Sequence, residues 1–201
     1  MGGACSTHDT DTHCCVSDIR HDCAEWGPNG SLPHFGISGL EKPTKGPDDP
    51  SLRACVVQTL AYNDGSTYVG QVDKDGKRHG SGRWTSDAGC YEGQWRDDVQ
   101  HGEGRQEWSD GRSYEGQFAN GRFSGYGKML WQSQTGVLSY EGQYQNDLKH
   151  GVGKFTWADG RTYEGEWQNG KRHGQGLYTS SNGEKKVCHW VDDKFKHWDK
   201  D

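Results

Sequence analysis

Residues 91–104 read YEGQWRDDVQHGEG. With side chains alternating between the two faces of a strand, Tyr91, Gly93 and Trp95 share one side while Glu92 and Gln94 take the other. The next segment, Gly102 to Trp108, again sets Gly102, Gly104 and Trp108 on one side and Glu103, Arg105 and Glu107 on the other. Glycine weakens a strand unless a neighbouring ring lies over it and covers the bare backbone. The stretch therefore predicts a β-hairpin whose inner face is aromatic rings laid on glycine.

The same text recurs, from Tyr68, Tyr91, Tyr114, Tyr140 and Tyr163, at intervals of 23, 23, 26 and 23 residues. The long interval contains QSQTG, an insertion of three. A period in the twenties marks a repeat array. Asn120-Gly121, Asn146-Asp147 and Asn169-Gly170 fall within units, and Asp64-Gly65, Asp110-Gly111 and Asp159-Gly160 fall between them. Such pairs tolerate positive φ and signal tight hairpin turns. Turns at both places predict an all-β chain, an elongated twisted antiparallel sheet of stacked β-hairpins. At ~4.8 Å per strand each unit advances about 10 Å and the array roughly 50 Å. The core units are 68–90, 91–113, 114–139, 140–162 and 163–185. Half-repeats at 55–67 and 186–198 cap them, with Leu60 and Tyr62 standing for Phe155 and Trp157, and Lys186 and Cys188 for the usual Tyr and Gly. Residues 53–201 form this β-meander.

Residues 1–52 differ. All five prolines fall between Pro28 and Pro50, acidic residues outnumber basic ones, and neither helical nor strand periodicity is present. Such a segment cannot bury enough surface to order itself, so a disordered acidic arm and Pro/Gly linker is expected. Its opening MGGACS fits the acylation pattern M-G-x-x-x-[ST], with Gly2 as the myristoyl acceptor. One myristoyl chain binds membranes only marginally, and an acidic arm offers no basic patch as a second signal. Palmitate on Cys5, with Cys14 and Cys15 as a further pair, is the remaining option. The opening residues lack the basic and apolar regions of a secretory signal, so the expected location is the cytosolic face of a membrane.

The net charge of −6, with no basic stripe, argues against nucleic acid as a partner. His79, His101, His150 and His173 occupy one place in successive units, too far apart to share a metal, and read as structural. The arm's His8, His13, Cys14, Cys15, His21 and Cys23 match no compact zinc spacing. No metal, cofactor or catalytic constellation is expected.

The pattern Y-E-G-x-W, a short turn and H-G-x-G resembles the MORN (membrane occupation and recognition nexus) repeat. Five copies cover residues 62–183, departing at Val69, Val72, Ser124 and the insertion. The resemblance implies a ribbon with an aromatic-lined groove and roles in tethering, scaffolding or partner binding rather than catalysis.

Tyr91, Trp95, Tyr114, Phe118, Tyr140, Tyr144, Tyr163 and Trp167 repeat in register. A single-layer ribbon cannot hide both faces, and an exposed aromatic strip marks a binding surface, so these eight are the expected groove for a protein partner. Phe123, Tyr126, Met129, Leu130, Val137 and Leu138, off-pattern around the insertion, are the expected partner-selecting residues. The leading reading is thus a non-enzymatic scaffold, held to a membrane by acyl chains and binding a protein through this groove. Two alternatives are a phosphoinositide-binding module using Lys77-Arg78 and Lys171-Arg172, and the regulatory subunit of a separate enzyme.

Overall fold

The computed structural model describes residues 55–199. The first strands are β1 (Val56–Ala61), β2 (Thr67–Val72), β3 (Arg78–Ser86), β4 (Gly89–Arg96), β5 (Val99–Trp108) and β6 (Ser113–Ala119). There follow β7 (Arg122–Ser133), β8 (Gly136–Gln145), β9 (Leu148–Thr156), β10 (Thr162–Gln168), β11 (Lys171–Thr179), β12 (Lys185–Val191) and β13 (Lys194–Trp198). They form one open 13-stranded antiparallel sheet in which spatial order follows chain order. The carboxy-terminal cap is a complete hairpin, β12 with β13. The three extra residues of the third interval lengthen the β7–β8 hairpin, whose pairing continues to Ser133↔Gly136. The arm, including Gly2, Cys5, Cys14 and Cys15, lies outside the described residues.

One irregularity recurs in every unit and explains its spelling. Pairing of β4 with β5 jumps from Gly93↔Gly104 to Gln94↔His101, so Gly102 and Glu103 bulge out of β5. A bulge removes groups from the ladder, and buried backbone groups must find other partners. The Tyr91 hydroxyl donates to the Gln94 carbonyl at 2.9 Å, and the Glu103 N–H donates to the Gln94 side-chain Oε1 at 3.2 Å. The other units do the same. Tyr68, Tyr114, Tyr140 and Tyr163 donate to the carbonyls of Gln71, Gln117, Gln143 and Glu166. Those four side chains accept the N–H groups of Ser81, Tyr126, Val152 and Gln175.

The paired glycines have separate jobs. Gly102 has φ +61°, and a Cβ there would overlap the Gln94 side chain. Gly104 lies under the Tyr91 ring, which a Cβ would strike. The first glycine admits the glutamine and the second admits the ring.

The leading tyrosines Tyr68, Tyr91, Tyr114, Tyr140 and Tyr163 are each 0% exposed. Edge-to-face contacts join them through the second aromatic of each unit: Tyr68–Trp95 5.4 Å, Trp95–Tyr91 5.0 Å, Tyr91–Phe118 5.0 Å and Phe118–Tyr114 5.1 Å. The zigzag continues through Tyr114–Tyr144 5.3 Å, Tyr144–Tyr140 5.1 Å, Tyr140–Trp167 5.2 Å and Trp167–Tyr163 5.5 Å. Such contacts add about 0.5–1.5 kcal/mol each beyond area burial. The core is therefore a one-ring-deep ladder along one face.

The hairpin turns also tie unit to unit. The N–H groups of Asp98, Gly121, Asp147, Gly170 and Asp193 reach back to the carbonyls of Arg78, Gln100, Phe123, Lys149 and Arg172 in the preceding unit, at 2.8–3.1 Å. Asp98 and Asp193 add side-chain bonds to the Arg78 and Arg172 N–H groups at 2.9 and 3.0 Å.

Two predictions follow from this packing. A Cβ on Gly142 would press on the Gly153 backbone and lie 2.8 Å from the Tyr140 hydroxyl, whereas at Gly160 (φ +86°) it would meet nothing within 4 Å. Gly142→Ala should cost about 3 kcal/mol by overpacking and Gly160→Ala about 1 kcal/mol through its left-handed backbone, as measured by urea denaturation. Burial also raises the pKa of six core tyrosines, Tyr68 to about 12 and Tyr91, Tyr114, Tyr140, Tyr144 and Tyr163 further still. Their unfolded forms ionise near pH ~10, so the stability they confer is complete below that value and falls as pH rises above it. Tyrosinate absorbance of these six should appear in one cooperative step with the loss of the β circular dichroism signal. Gradual ionisation inside an intact sheet would contradict this.

Candidate binding face

The eight residues expected to line an exposed groove are instead the core. Tyr91, Tyr114, Tyr140 and Tyr163 are fully buried, and Trp95, Phe118, Tyr144 and Trp167 are nearly so. The expected exposure fails for a physical reason: glycines on the facing strand let each ring sink to the backbone, and the next unit's ring closes over it. Trp95 and Trp167 also spend their indole N–H groups inward, on the Gly82 and Gly153 carbonyls at 2.9 and 3.1 Å.

The residues around the insertion do not come together either. Phe123, Met129 and Leu138 share the aromatic face, through the pairs Phe118↔Phe123, Met129↔Tyr140 and Trp131↔Leu138. Tyr126, Leu130 and Val137 alternate onto the opposite face, opposite Gln143, Ser139 and Gln132. Met129 is buried, Phe123 stacks on Tyr114 with centroids 3.9 Å apart, and Val137 is exposed.

What faces solvent on the aromatic side is a second rank of half-buried rings. From the insertion to the carboxy terminus these touch in series: Trp131–Phe155 6.1 Å, Phe155–Trp157 4.8 Å, Trp157–Tyr178 6.4 Å, Tyr178–Trp198 5.8 Å and Trp198–Phe195 4.9 Å. The row ends at its most open members, Phe195 and Trp198, 43% and 42% exposed. A contiguous aromatic strip held by a rigid sheet is the physical form of a docking surface. Sequence reasoning missed its far end because Phe195 and Trp198 lie outside the five regular units; Trp190 and Trp198 at spacing eight on a hairpin were the available signal.

Cations lie over the inner rings. Arg78 covers Trp95 at 4.2 Å and Arg172 covers Trp190 at 3.7 Å. At the equivalent place in the fourth unit, Lys149 Nζ sits 4.6–5.4 Å from the centroids of Phe155, Trp167, Trp131 and Tyr140. Four rings supply cation–π attraction, yet they also strip water from the ammonium. Desolvation pulls the Lys149 pKa from 10.5 down to about 8.

The repeat histidines lie on the polar side, near the turns. His79 and His173 face Asp97 and Asp192 across 3.9 and 3.6 Å. His150 and His173 line a shallow hollow with Glu166. Among the described residues, no helix is long and apolar enough to cross a membrane.

Five stretches match the family model described as MORN repeat: residues 68–90, 91–111, 114–136, 140–160 and 163–185, together more than half of the chain. No curated protein matches it.

The lysine box carries its own test. Between pH ~8 and ~10 the unfolded chain holds a proton on Lys149 that the folded chain lacks, so the contribution of this residue to stability rises with pH across that window. Lys149→Met should therefore flatten the pH dependence by on the order of 1 kcal/mol, read as the wild-type-minus-variant difference in urea melts at pH ~7.5 and ~9.5.

Proposed function

The chain belongs to the MORN repeat family, and from that premise we propose that it is a non-enzymatic, membrane-tethered scaffold. Repeats of this family suit a membrane-associated or protein-binding repeat protein. The observation that carries the reading is the outer aromatic row from Trp131 to Trp198, which rests on a core that needs no second layer. Its rings are preorganised, so a partner segment laid along them loses little of its binding energy to ordering this side of the interface.

Acyl chains on Gly2 and Cys5, with Cys14 or Cys15 as further acceptors, hold the scaffold at the cytosolic face of a membrane. The acidic arm supports lipid rather than charge as the attachment. The Pro/Gly linker then sets how far the ribbon reaches from the bilayer. The partner is a protein segment, extended or helical, docking by apolar contact on the aromatic row.

Direct headgroup binding by the ribbon is disfavoured by how its cations are used. Arg78 and Arg172 are committed to Asp98 and Asp193 at 3.2 and 2.8 Å as well as to indole rings.

Gly2→Ala should move the protein from the membrane to the soluble fraction of eukaryotic cells while leaving its circular dichroism unchanged. Full-length chain made without acylation should not float with phosphoinositide-containing vesicles. Membrane retention of the Gly2 variant would defeat the lipid anchor, and flotation of the unacylated chain would favour direct headgroup recognition.

A further inference from the structure

The terminal hairpin breaks the repeat spelling at three places that face one another. At the regular positions the fifth unit has Glu166, Gly174 and Gly176; one period later stand His189, His197 and Asp199. In the regular units the glutamine or glutamate side chain fills the space where the first glycine would carry a Cβ, and the leading tyrosine covers the second. The terminal hairpin has lost both constraints together. Lys186 replaces the tyrosine whose ring would occupy the place of the Asp199 side chain, and His189 replaces the acceptor that excluded a side chain at position 197. The register changes accordingly, with His189 directly opposite His197.

The consequence is a cluster of donors. The imidazoles of His189 and His197 stack with centroids 4.4 Å apart and planes 12° from parallel. His189 Nε2 lies 2.7 Å from Asp199 Oδ1, and one ligand atom from each of the three residues falls within 4.8 Å of the others. The Gln175 side-chain amide reaches from the neighbouring unit to within 3.5 Å of the second Asp199 oxygen.

The geometry points to a divalent transition-metal site formed by His189, His197 and Asp199, with zinc the ion its chemistry suits best. Two imidazole nitrogens, which are borderline donors, and one carboxylate oxygen, a hard one, make a mixed set that zinc takes at about 2.0–2.2 Å each. Donors around such an ion stand roughly 3.4 Å apart, so modest ring rotations close the present cluster onto it. The ion replaces the proton between His189 and Asp199 and leaves a fourth position for water. Gln175 stands where it can close on the free Asp199 oxygen and give the outer support that metal-binding carboxylates use. Asp73, His79 and Asp97 also converge, but Asp73 Oδ1 is already committed to the Asp75 and Lys77 N–H groups at 2.9 Å. The expectation of no metal weighed only the arm and the regular repeat histidines, and His189 and His197 belong to neither.

The test is zinc titration of metal-free full-length protein by calorimetry, beside the double variant His189→Gln, His197→Gly and the single variant Asp199→Asn. The wild type should bind one zinc more than the double variant, show a zinc-dependent rise in melting temperature that the double variant lacks, and bind that ion at least tenfold more tightly than Asp199→Asn. Cobalt in place of zinc distinguishes this site from the arm cysteines: the wild-type-minus-variant spectrum should show d–d bands without thiolate charge transfer. Equal zinc stoichiometry and affinity in folded wild type and variants would overturn the assignment. Should the double variant fail to fold, cobalt-induced paramagnetic shifts of the His189 and His197 ring protons in the wild type decide the matter, and their absence overturns it.

Discussion

A carbonyl and an amide, orphaned by a bulge on facing strands, are the problem that each unit of this sheet solves. Leaving such groups buried and unpaired costs about 1–3 kcal/mol apiece. The tyrosine hydroxyl takes the carbonyl of Gln94 and the Gln94 side chain takes the amide of Glu103. Those two bonds fix nearly every letter of the repeat. The tyrosine must lie flat to reach, which demands glycine beneath it on both strands, and the glutamine must cross the bulge, which demands glycine where it lands. Ring, bulge and glycines are one device, and it stabilises a sheet that has no second layer.

Repetition turns the device into a stiff platform. From the second unit on, each leading tyrosine meets the second aromatic of its own unit and of the next, as Tyr91 meets both Trp95 and Phe118; Tyr68, whose unit carries Val72 there, meets only Trp95 of the next. Each turn also hydrogen-bonds to its predecessor on the far edge. Units are thus coupled at the centre by rings and at the margin by backbone, and each touches only its neighbours, as in other repeat arrays. Above this ladder lie the cations Arg78, Lys149 and Arg172, each over rings of the sheet, and the half-buried outer rings between Trp131 and Trp198.

Much of this was legible in the residues. The tyrosine spacing gave the meander and its boundaries, Asn-Gly and Asp-Gly located the turns, and glycine under rings was readable from strand alternation alone. Strict alternation failed at the bulge. It assigned Gln94 to an idle outer face, whereas that side chain replaces a missing ladder partner. It also left the aromatic ladder exposed, because depth depends on how closely the next unit approaches, which no single strand encodes. The residues near the insertion looked like one cluster only because they are close in sequence; Leu130 and Met129 point to opposite faces. The metal-ligand cluster at the terminal hairpin was invisible for a related reason, since His189 and His197 become neighbours only once the register shifts.

Because spatial order follows chain order without a crossover, the most distant pairings in the sheet still join adjacent hairpins. All-β proteins usually fold slowly, since their pairings close long loops. Here a growing polypeptide leaving the ribosome can add rungs as they emerge, each completed hairpin serving as template for the following one. No strand then has to wait for a partner from a distant part of the chain, and the unpaired edge moves along with the newest rung.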